Sequence, residues 1–482
     1  MYYYNPSKAS KLKFIYVVVF CMLSINFSFA QDSDPSPWSR FGLGISLPSS
    51  TLPQQLMGGV SSPLMDKNVI NPFQPASAAG CNTTLFQSSI NSSRNAMTEG
   101  DSSTTALKGN IGAINLIVKK PTGKTAYMLG IIPNTARGYN LVSHKTDSIT
   151  GDYIERYQGT GGTARSYLGV ARSFKAKKWV DAGEEDSILI NNIDLQIGCQ
   201  ANYLFGEVVQ QERLDIEDIT YLDARNSTTM RHRALGGLFG LQMHKVLGAK
   251  YDKQKNFIRS TSLYLGGTFA TSSTLNTDYE KLVESVVLMS GVETLVDTSF
   301  YTSSIEIGQT PSRWTAGAAF SFDSGSGRRL VFAADYMSED WTSISDVDNE
   351  YLLDGKAVWA EASRLSTGVS FKPGLNGSGR SVFARTTYKA GFSLENYPIS
   401  YELQEGEFHQ LTGWNATAGF TMPLEGSRSN SSIHFGLCYG KRSLDGTVLD
   451  NSLLEESILN VQIGVSLAPF YKNLWLTPKL YD

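Results

Sequence analysis

The stretch "NIDLQIGCQANYLFG" (residues 192–206) alternates apolar and polar side chains along its length. Odd positions from Ile193 to Phe205 are apolar or aromatic, and even positions from Asp194 to Asn202 are Asp, Gln, Gly or Asn. Successive side chains of a β-strand point to opposite faces, so the stretch predicts a strand with one apolar and one polar face. A tilted strand that crosses a membrane needs roughly 9–11 residues, which this stretch can supply.

The same alternation recurs in other parts of the chain. It is seen in "WNATAGFTM" (414–422), "SIHFGLCYG" (432–440), "ILNVQIGVSL" (458–467) and "SVFARTTYKAGFSLE" (381–395). Such runs exceed the roughly five or six residues of an ordinary globular strand, which disfavours a soluble β-sandwich. In a membrane every backbone group must be paired within the sheet, so the sheet must close. The chain is therefore predicted to be all-β, a single transmembrane antiparallel β-barrel of about 14 strands.

Polar connectors separate the predicted strands. Residues 175–187 and 337–356 are long enough to be extracellular loops, whereas 322–329 and 372–380 have the Gly/Ser composition of tight periplasmic turns. Short turns at one end and long loops at the other are typical of outer-membrane barrels.

The first thirty residues have the features of a secretion signal. Lys8, Lys11 and Lys13 precede the apolar run "FIYVVVFCML" (14–23), and Ser28 and Ala30 provide small residues before a cut at Gln31. An uncleaved anchor is the alternative. We expect residues 1–30 to be a cleaved signal peptide and the mature protein to lie in the outer membrane of a Gram-negative bacterium.

Residues 31–80 differ from the strand-like remainder. "SRFGLGISLPSS" (39–50) is short and is followed by Pro53, so it is unsuited to a barrel wall. We predict that 31–80 form a hatch inside the lumen of a barrel spanning 81–470. Trp38 and Phe41 would be its packing anchors, and Gly42 and Gly44 would allow close backbone turns. Deleting residues 38–78 should then leave a folded barrel with raised permeability.

The end of the hatch resembles a known family. "NVINPFQPASAAG" (68–80), with Asn71, Pro72 and Pro75, is similar to the "NPA" segment of FadL/TodX-type outer-membrane transporters. The chain end "NLWLTPKLYD" (473–482) also resembles endings of FadL-like proteins. The wider group includes the PorV-type subunit of type IX secretion. The resemblance implies a hatch within a barrel and passive transport of hydrophobic compounds such as long-chain fatty acids. The last residue is Asp482 rather than an aromatic, so we expect 471–482 to be an extension beyond the last strand.

The sequence offers no pattern for an enzyme or a cofactor. The segment "GTGGTARS" (159–166) is not followed by a helix that could complete a phosphate site. "RHR" (231–233) has no partner at metal-ligand spacing. A net charge of −3 without a dense basic patch disfavours nucleic acid as a partner. Cys81, Cys199 and Cys438 are too few and too scattered for a disulfide framework.

Some polar residues fall on predicted lumen faces. Arg385 and Lys389 would share one strand face and could hold a carboxylate head group. The alternative is an ion-pair ladder with Asp194, Asp335 or Glu395. His434 also lies on a polar face, where a hydrogen-bonded interior histidine is the simpler interpretation.

Two hypotheses for function remain. The barrel could carry hydrophobic solutes past a moving hatch, or it could be a plugged scaffold in an outer-membrane secretion or assembly complex. Membrane lipid, lipopolysaccharide and, during biogenesis, the barrel assembly machinery are expected partners in either case. The scaffold also requires a stable protein partner within its complex.

Overall fold

A computed structural model describes residues 36–100, 102–119, 123–147, 151–181, 187–216, 218, 221–289, 292–343, 353, 357–374, 382–404, 406–424, 431–445 and 454–468. These residues form a closed antiparallel barrel of 14 strands with an N-terminal segment in its lumen. The predicted fold class is therefore confirmed. The signal peptide and the extension at 471–482 lie outside the described residues and stay predictions.

The strands are numbered in chain order. They are β1 (Ile45–Ser46), β2 (Leu85–Glu99), β3 (Ser102–Ile111), β4 (Ile114–Lys119), β5 (Thr125–Asp147), β6 (Gly151–Asp181), β7 (Ser187–Ile216), β8 (Asp223–Tyr251), β9 (Phe257–Ala270), β10 (Ser273–Met289), β11 (Val292–Thr310), β12 (Arg313–Ser324), β13 (Arg329–Asp340), β14 (Ala357–Trp359), β15 (Glu361–Lys372), β16 (Thr387–Gln404), β17 (Glu407–Pro423), β18 (Ser432–Leu444) and β19 (Glu455–Leu467). Short helices occupy Pro37–Ser39, Leu52–Gln55, Pro75–Gly80, Trp341–Ser343 and Val382–Arg385.

Strand pairing closes the barrel. The last strand, β19, pairs with β2, as in Val461 opposite Ser92. Some wall strands are interrupted, so that β3 continues into β4, β9 into β10, β11 into β12 and β14 into β15. The short β1 belongs to the lumen segment and pairs with an edge of β5.

The two faces of the wall follow the predicted alternation. In β7, Ile197, Tyr203 and Phe205 are exposed on the outer face, while Gln196 and Gln200 are buried in the lumen. The outer face presents large apolar side chains on many other strands, including Leu168, Phe239, Phe332, Leu394, Leu437 and Ile463. An apolar outer band is what lipid requires of a barrel. Among the described residues, no helix is long and apolar enough to cross a membrane.

The two ends of the barrel differ. We call the near end the one where β2 begins at Leu85 and β19 ends at Leu467, and the far end the opposite one. The strand β6 has 31 residues, a contour of about 100 Å at roughly 3.3 Å per residue, far more than a membrane crossing needs. Strands β5–β8, β10 and β11 therefore continue as a sheet beyond the far end of the closed wall.

The wall has a gap in strand pairing next to this extension. Within the described residues, β5 is paired with β4 only as far as Ile131, and no ladder joins its later residues to β3. Part of this unpaired edge, at Thr135 and Ala136, instead pairs with β1. The lumen segment therefore completes the hydrogen bonding of the wall at this place.

Two local predictions were wrong. Residues 175–181 continue β6 through a bulge after Ala176 rather than forming a long loop. They pair with the first residues of β7 at the near end, the end where 325–328 join β12 to β13. The strand predicted over 381–395 begins only at Thr387, because Val382–Arg385 form a helical turn closed by the Thr386 amide and hydroxyl on the Val382 carbonyl.

Candidate functional site: the hatch in the lumen

The lumen segment, which we call the hatch (residues 36–80), runs from the far end to the near end. At the far end Ser36 donates its amide to Gly138 and its hydroxyl to Glu456, at 2.7 and 2.9 Å. At the near end Lys119 Nζ donates to the carbonyl oxygens of Cys81, at 2.6 Å, and Ala79. Both ends are therefore fixed to the wall. The structure thus places residues 36–80 of the predicted segment within the lumen, and residues 31–35 lie outside the described residues.

The far part of the hatch is packed by aromatic rings. Trp38 and Phe41, the predicted anchors, are both buried against Tyr401, with ring centroids 5.2 and 5.8 Å away. The Tyr401 hydroxyl donates to the Trp38 carbonyl oxygen at 2.5 Å. One wall residue thus holds the hatch by both its ring and its hydroxyl.

The two predicted glycines lie where the hatch backbone meets the wall. Gly42 and Gly44 have φ of +63° and +91°, which favours glycine. A Cβ on Gly44 would stand 2.6 Å from the Ala136 carbonyl oxygen. The carbonyl of Gly42 accepts a bond of 2.6 Å from Arg137. These glycines allow the backbone approach that seats β1 against β5.

The conformation of the middle of the hatch is held by hydrogen bonds from its own polar side chains. Asn71 is buried, donates to the Ser61 carbonyl at 2.9 Å and accepts from the Phe73 amide at 3.2 Å. Pro72 and Pro75 are also buried, and Pro75 begins the helix Pro75–Gly80. The motif that carried the family resemblance therefore shapes a compact turn in the lumen.

Polar wall residues bind the hatch backbone. Asp335 accepts from the amides of Ser61 and Ser62 at 2.7 and 3.0 Å. Gln242 donates to the Ser62 carbonyl at 2.8 Å, and Gln87 accepts from the Ile70 amide at 2.8 Å. A buried backbone group costs free energy unless it is paired, and these side chains provide the partners.

Glycines of the wall face the hatch where it passes closest. Added Cβ atoms at these positions would collide with hatch atoms or come into very tight contact with them. They form the glycine belt: Gly198, Gly240, Gly266, Gly317, Gly368, Gly391, Gly419, Gly436 and Gly464. Many are direct cross-strand neighbours, such as Gly198 with Gly240 and Gly368 with Gly391. A Cβ on Gly198 would lie 2.5 Å from Pro75, and one on Gly464 would lie 2.9 Å from Leu52. The wall therefore accommodates the hatch because glycine, which has no side chain, occupies the positions of closest approach.

The predicted lumen residues do not form one site. Lys389 is buried and donates to the Pro53 carbonyl at 3.0 Å, whereas Arg385 ends a helix outside the strand. Asp194 is 3.8 Å from Lys175. His434 bonds to the hydroxyls of Thr421 and Ser466 at 2.9 and 2.8 Å, as an interior histidine would.

The alternative of an ion-pair ladder is not found around Lys389 in the described part of the chain. Among the described residues Lys389 pairs with none of the expected carboxylates, because Asp335 accepts from the hatch amides and Glu395 accepts from the Tyr397 hydroxyl. Asp335 and Lys389 therefore bind the hatch backbone rather than each other.

Cavities lie on both sides of the hatch. One, of about 280 Å³, faces the far end and is lined in part by Arg165, Arg364 and the stacked rings of Trp341 and Trp359. The other, of about 470 Å³, opens at the near end under Met57. Within the described residues no cluster of metal-ligating side chains is found.

Several of the residues that hold the hatch were not singled out from the sequence. Gln74 is buried and its Nε2 lies 3.1–3.2 Å from the carbonyl oxygens of Ser62, Leu241 and Gly267. The sequence does contain a sign of the glycine belt, because Gly recurs on the polar face of several predicted strands. That signal indicates missing side chains and does not identify what fills the space.

The fold and its filled lumen define an outer-membrane β-barrel closed by an N-terminal hatch. The family model described as BamG matches residues 12–477, and the chain belongs to this family. No curated protein sequence matches the chain.

Solved barrels with a similar fold include hydrocarbon channels. A TodX deltaS2S3 mutant monoaromatic hydrocarbon channel has a TM-score of 0.50 at 12% identity, covering 86% of this chain and 98% of that one. The Pseudomonas putida toluene transporter TodX has a TM-score of 0.48 at 12% identity, with coverages of 87% and 97%. A Pseudomonas aeruginosa FadL homologue has 0.47 at 11% identity, with 88% and 98%. At such identities the likeness concerns the fold alone.

Proposed function

We propose that this protein is a permanently plugged outer-membrane barrel that serves as a structural subunit of an outer-membrane secretion or assembly complex. The glycine belt is the observation that carries the proposal. A hatch that had to leave the lumen for each solute would need few permanent contacts, whereas here the wall backbone is fitted to the hatch over many consecutive strands.

The cost of moving the hatch supports the same view. Asp335, Gln242 and Gln87 would each lose a buried hydrogen-bonded partner if the hatch withdrew. Water would replace the hatch at these groups, and each bond contributes roughly 0.5–1.5 kcal/mol net of that exchange, so the bonds together favour the closed state. A barrel with a fixed plug would act through contacts of its outer surfaces with other proteins rather than through its lumen.

Planar-bilayer recording tests this proposal. Purified wild-type protein should show no steady conductance, and a variant lacking residues 38–78 should conduct if it still closes. Native mass spectrometry of detergent extracts should show a protein partner at fixed stoichiometry. A steady wild-type conductance, or the absence of any such partner, would contradict the scaffold.

Uptake of an amphipathic hydrophobic compound is a second candidate, and the far-side cavity favours it. Arg165 and Arg364 line this cavity, are buried, and each has a guanidinium nitrogen without a hydrogen-bond partner. The Arg165 guanidinium lies 5.1 Å from the Phe73 ring centroid. A carboxylate with an apolar tail would match these groups. A lipid-like ligand retained by wild type and lost in Arg165→Met would support uptake.

A further inference from the structure

The near-end cavity, which we call the vestibule, is lined by more basic than acidic side chains. Among the described residues that line it, Asp66 is the acidic one. The basic ones are Lys67, Arg329, Lys372, Arg385 and Lys389. Met57, Leu64, Met65, Val331 and Leu424 add apolar surface between them. The vestibule is therefore cationic and amphipathic.

Two of these cations face each other directly. Arg329 on β13 and Lys372 on β15 are cross-strand partners. Like charges directly opposite each other destabilise a sheet, so this arrangement calls for a negative group nearby. Asp323 lies 3.5 Å from Arg329, but among the described residues Lys372 has no ion-pair partner. The pair therefore retains excess positive charge at the mouth.

The position of the vestibule restricts what can neutralise it. Its cations line the lumen mouth beneath the hatch, and Lys389 is held there by its bond to the Pro53 carbonyl. The lining residues belong to the hatch and to the lumen mouth, so the vestibule is reached from the near end rather than through the lipid-facing wall. A polypeptide that approaches the near end along the barrel axis can enter it.

We infer that the vestibule binds an acidic segment of a partner protein. Carboxylates of the segment would lie between Arg329, Lys372 and Lys67, and its apolar residues would cover Met65 and Leu424. This inference rests on the proposed role as a structural subunit. That role requires a protein partner, and the vestibule would bind an acidic part of it.

A binding assay with a defined probe tests the inference. A fluorescent hexaglutamate peptide is titrated into detergent-solubilised full-length protein, and its anisotropy is followed. Wild type should bind saturably, and binding should fall as salt screens the charges. The double variant Lys67→Glu/Lys372→Glu should weaken binding by roughly tenfold or more. Lys250→Glu/Lys253→Glu is the matched control, because it makes the same charge change at the same end outside the vestibule.

Several outcomes would overturn the inference. These are no saturable binding to wild type, equal loss in the control, or retained binding in the vestibule variant. Displacement of the peptide by inorganic phosphate or phosphatidylglycerol micelles at lower concentrations would indicate a phosphate or lipid site instead. Heat-modifiable gel migration must first show that every variant is folded.

A second measurement locates the partner in cells. A photo-cross-linking residue at Leu424, in the vestibule, should capture a peptide rich in Asp and Glu, whereas one at Leu247, on the exposed wall of the near end, should not. A captured peptide without acidic residues would refute the inference. If a partner co-purifies but the peptide does not bind, the inference fails and the structural role stands. A conducting wild-type barrel removes the structural role whatever the vestibule binds.

Discussion

Gly266 lies directly opposite Gly317 on strands β9 and β12, and the hatch residue Ser62 occupies the space that side chains on both would need. The pair shows how the lumen is filled. Glycines occupy the wall positions that the hatch passes, so no side chain stands in its path. Asp335 lies opposite Gly317 on β13 and accepts a hydrogen bond from the Ser62 amide.

Gly266→Ala should unseat the hatch. Its Cβ would collide with the Ser62 carbonyl, and overpacking of this kind costs roughly 1–3 kcal/mol. We expect a lower temperature for the heat-modifiable gel transition and raised permeability in liposome swelling. Gly267→Ala is the control, because the nearest atom to its Cβ would be 3.7 Å away. Equal effects of both substitutions would contradict the fitted contact.

Asp335→Ala should orphan two buried amides. Ser61 and Ser62 both donate to Asp335, and the loss should cost roughly 2–5 kcal/mol because two buried donors lose their acceptor. Thermal unfolding in detergent measures the change, and Asp335→Asn should recover part of it through its remaining oxygen. Wild-type stability in Asp335→Ala would show that the hatch does not depend on this acceptor.

Tyr401→Phe separates the hydroxyl from the ring. The variant loses the bond to the Trp38 carbonyl and keeps the ring contact, so we expect a loss of about 1 kcal/mol. Tyr401→Ala should cost several times more and expose the N-terminal part of the hatch to protease. Tyr439→Phe, on the outer face, serves as the control and should leave the protease pattern unchanged.

Cys81 should resist alkylation over the ordinary pH range. Burial raises the pKa of the Cys81 thiol to about 12, so its thiolate is scarce below that pH. A reporter cysteine placed by Lys253→Cys at the exposed turn should have a pKa of about 8.5 and react readily with maleimide at that pH. Mass spectrometry of the labelled peptides compares the two sites. Lys119→Met should release the hatch end and make Cys81 reactive; rapid labelling of Cys81 in wild type would refute its burial.

Deleting the hatch should destabilise the barrel as well as open its lumen. Hatch residues contribute to each of the buried apolar clusters, for example Trp38, Ile70 and Met57. A variant lacking residues 38–78 should therefore be less stable as well as more permeable. Gel migration before and after heating, together with bilayer recording, checks both effects. A product that never migrates as a compact form would show that the hatch is required for closure.

The barrel is predictable from local sequence, because the alternation of residues such as Ile197 and Gly198 is a property of each strand and sets which face meets lipid. Proline and glycine also marked the hatch as a separate segment. The role of the inward glycines is visible only in the folded barrel, where Gly198 lies against Pro75 and Gly464 against Leu52, residues distant in sequence. In the folded protein Arg385 lies in a helical turn outside the strand that contains Lys389. Lys389 donates to the Pro53 carbonyl of the hatch. Alternation depends on neighbouring residues, whereas these contacts depend on which distant segments closure brings together.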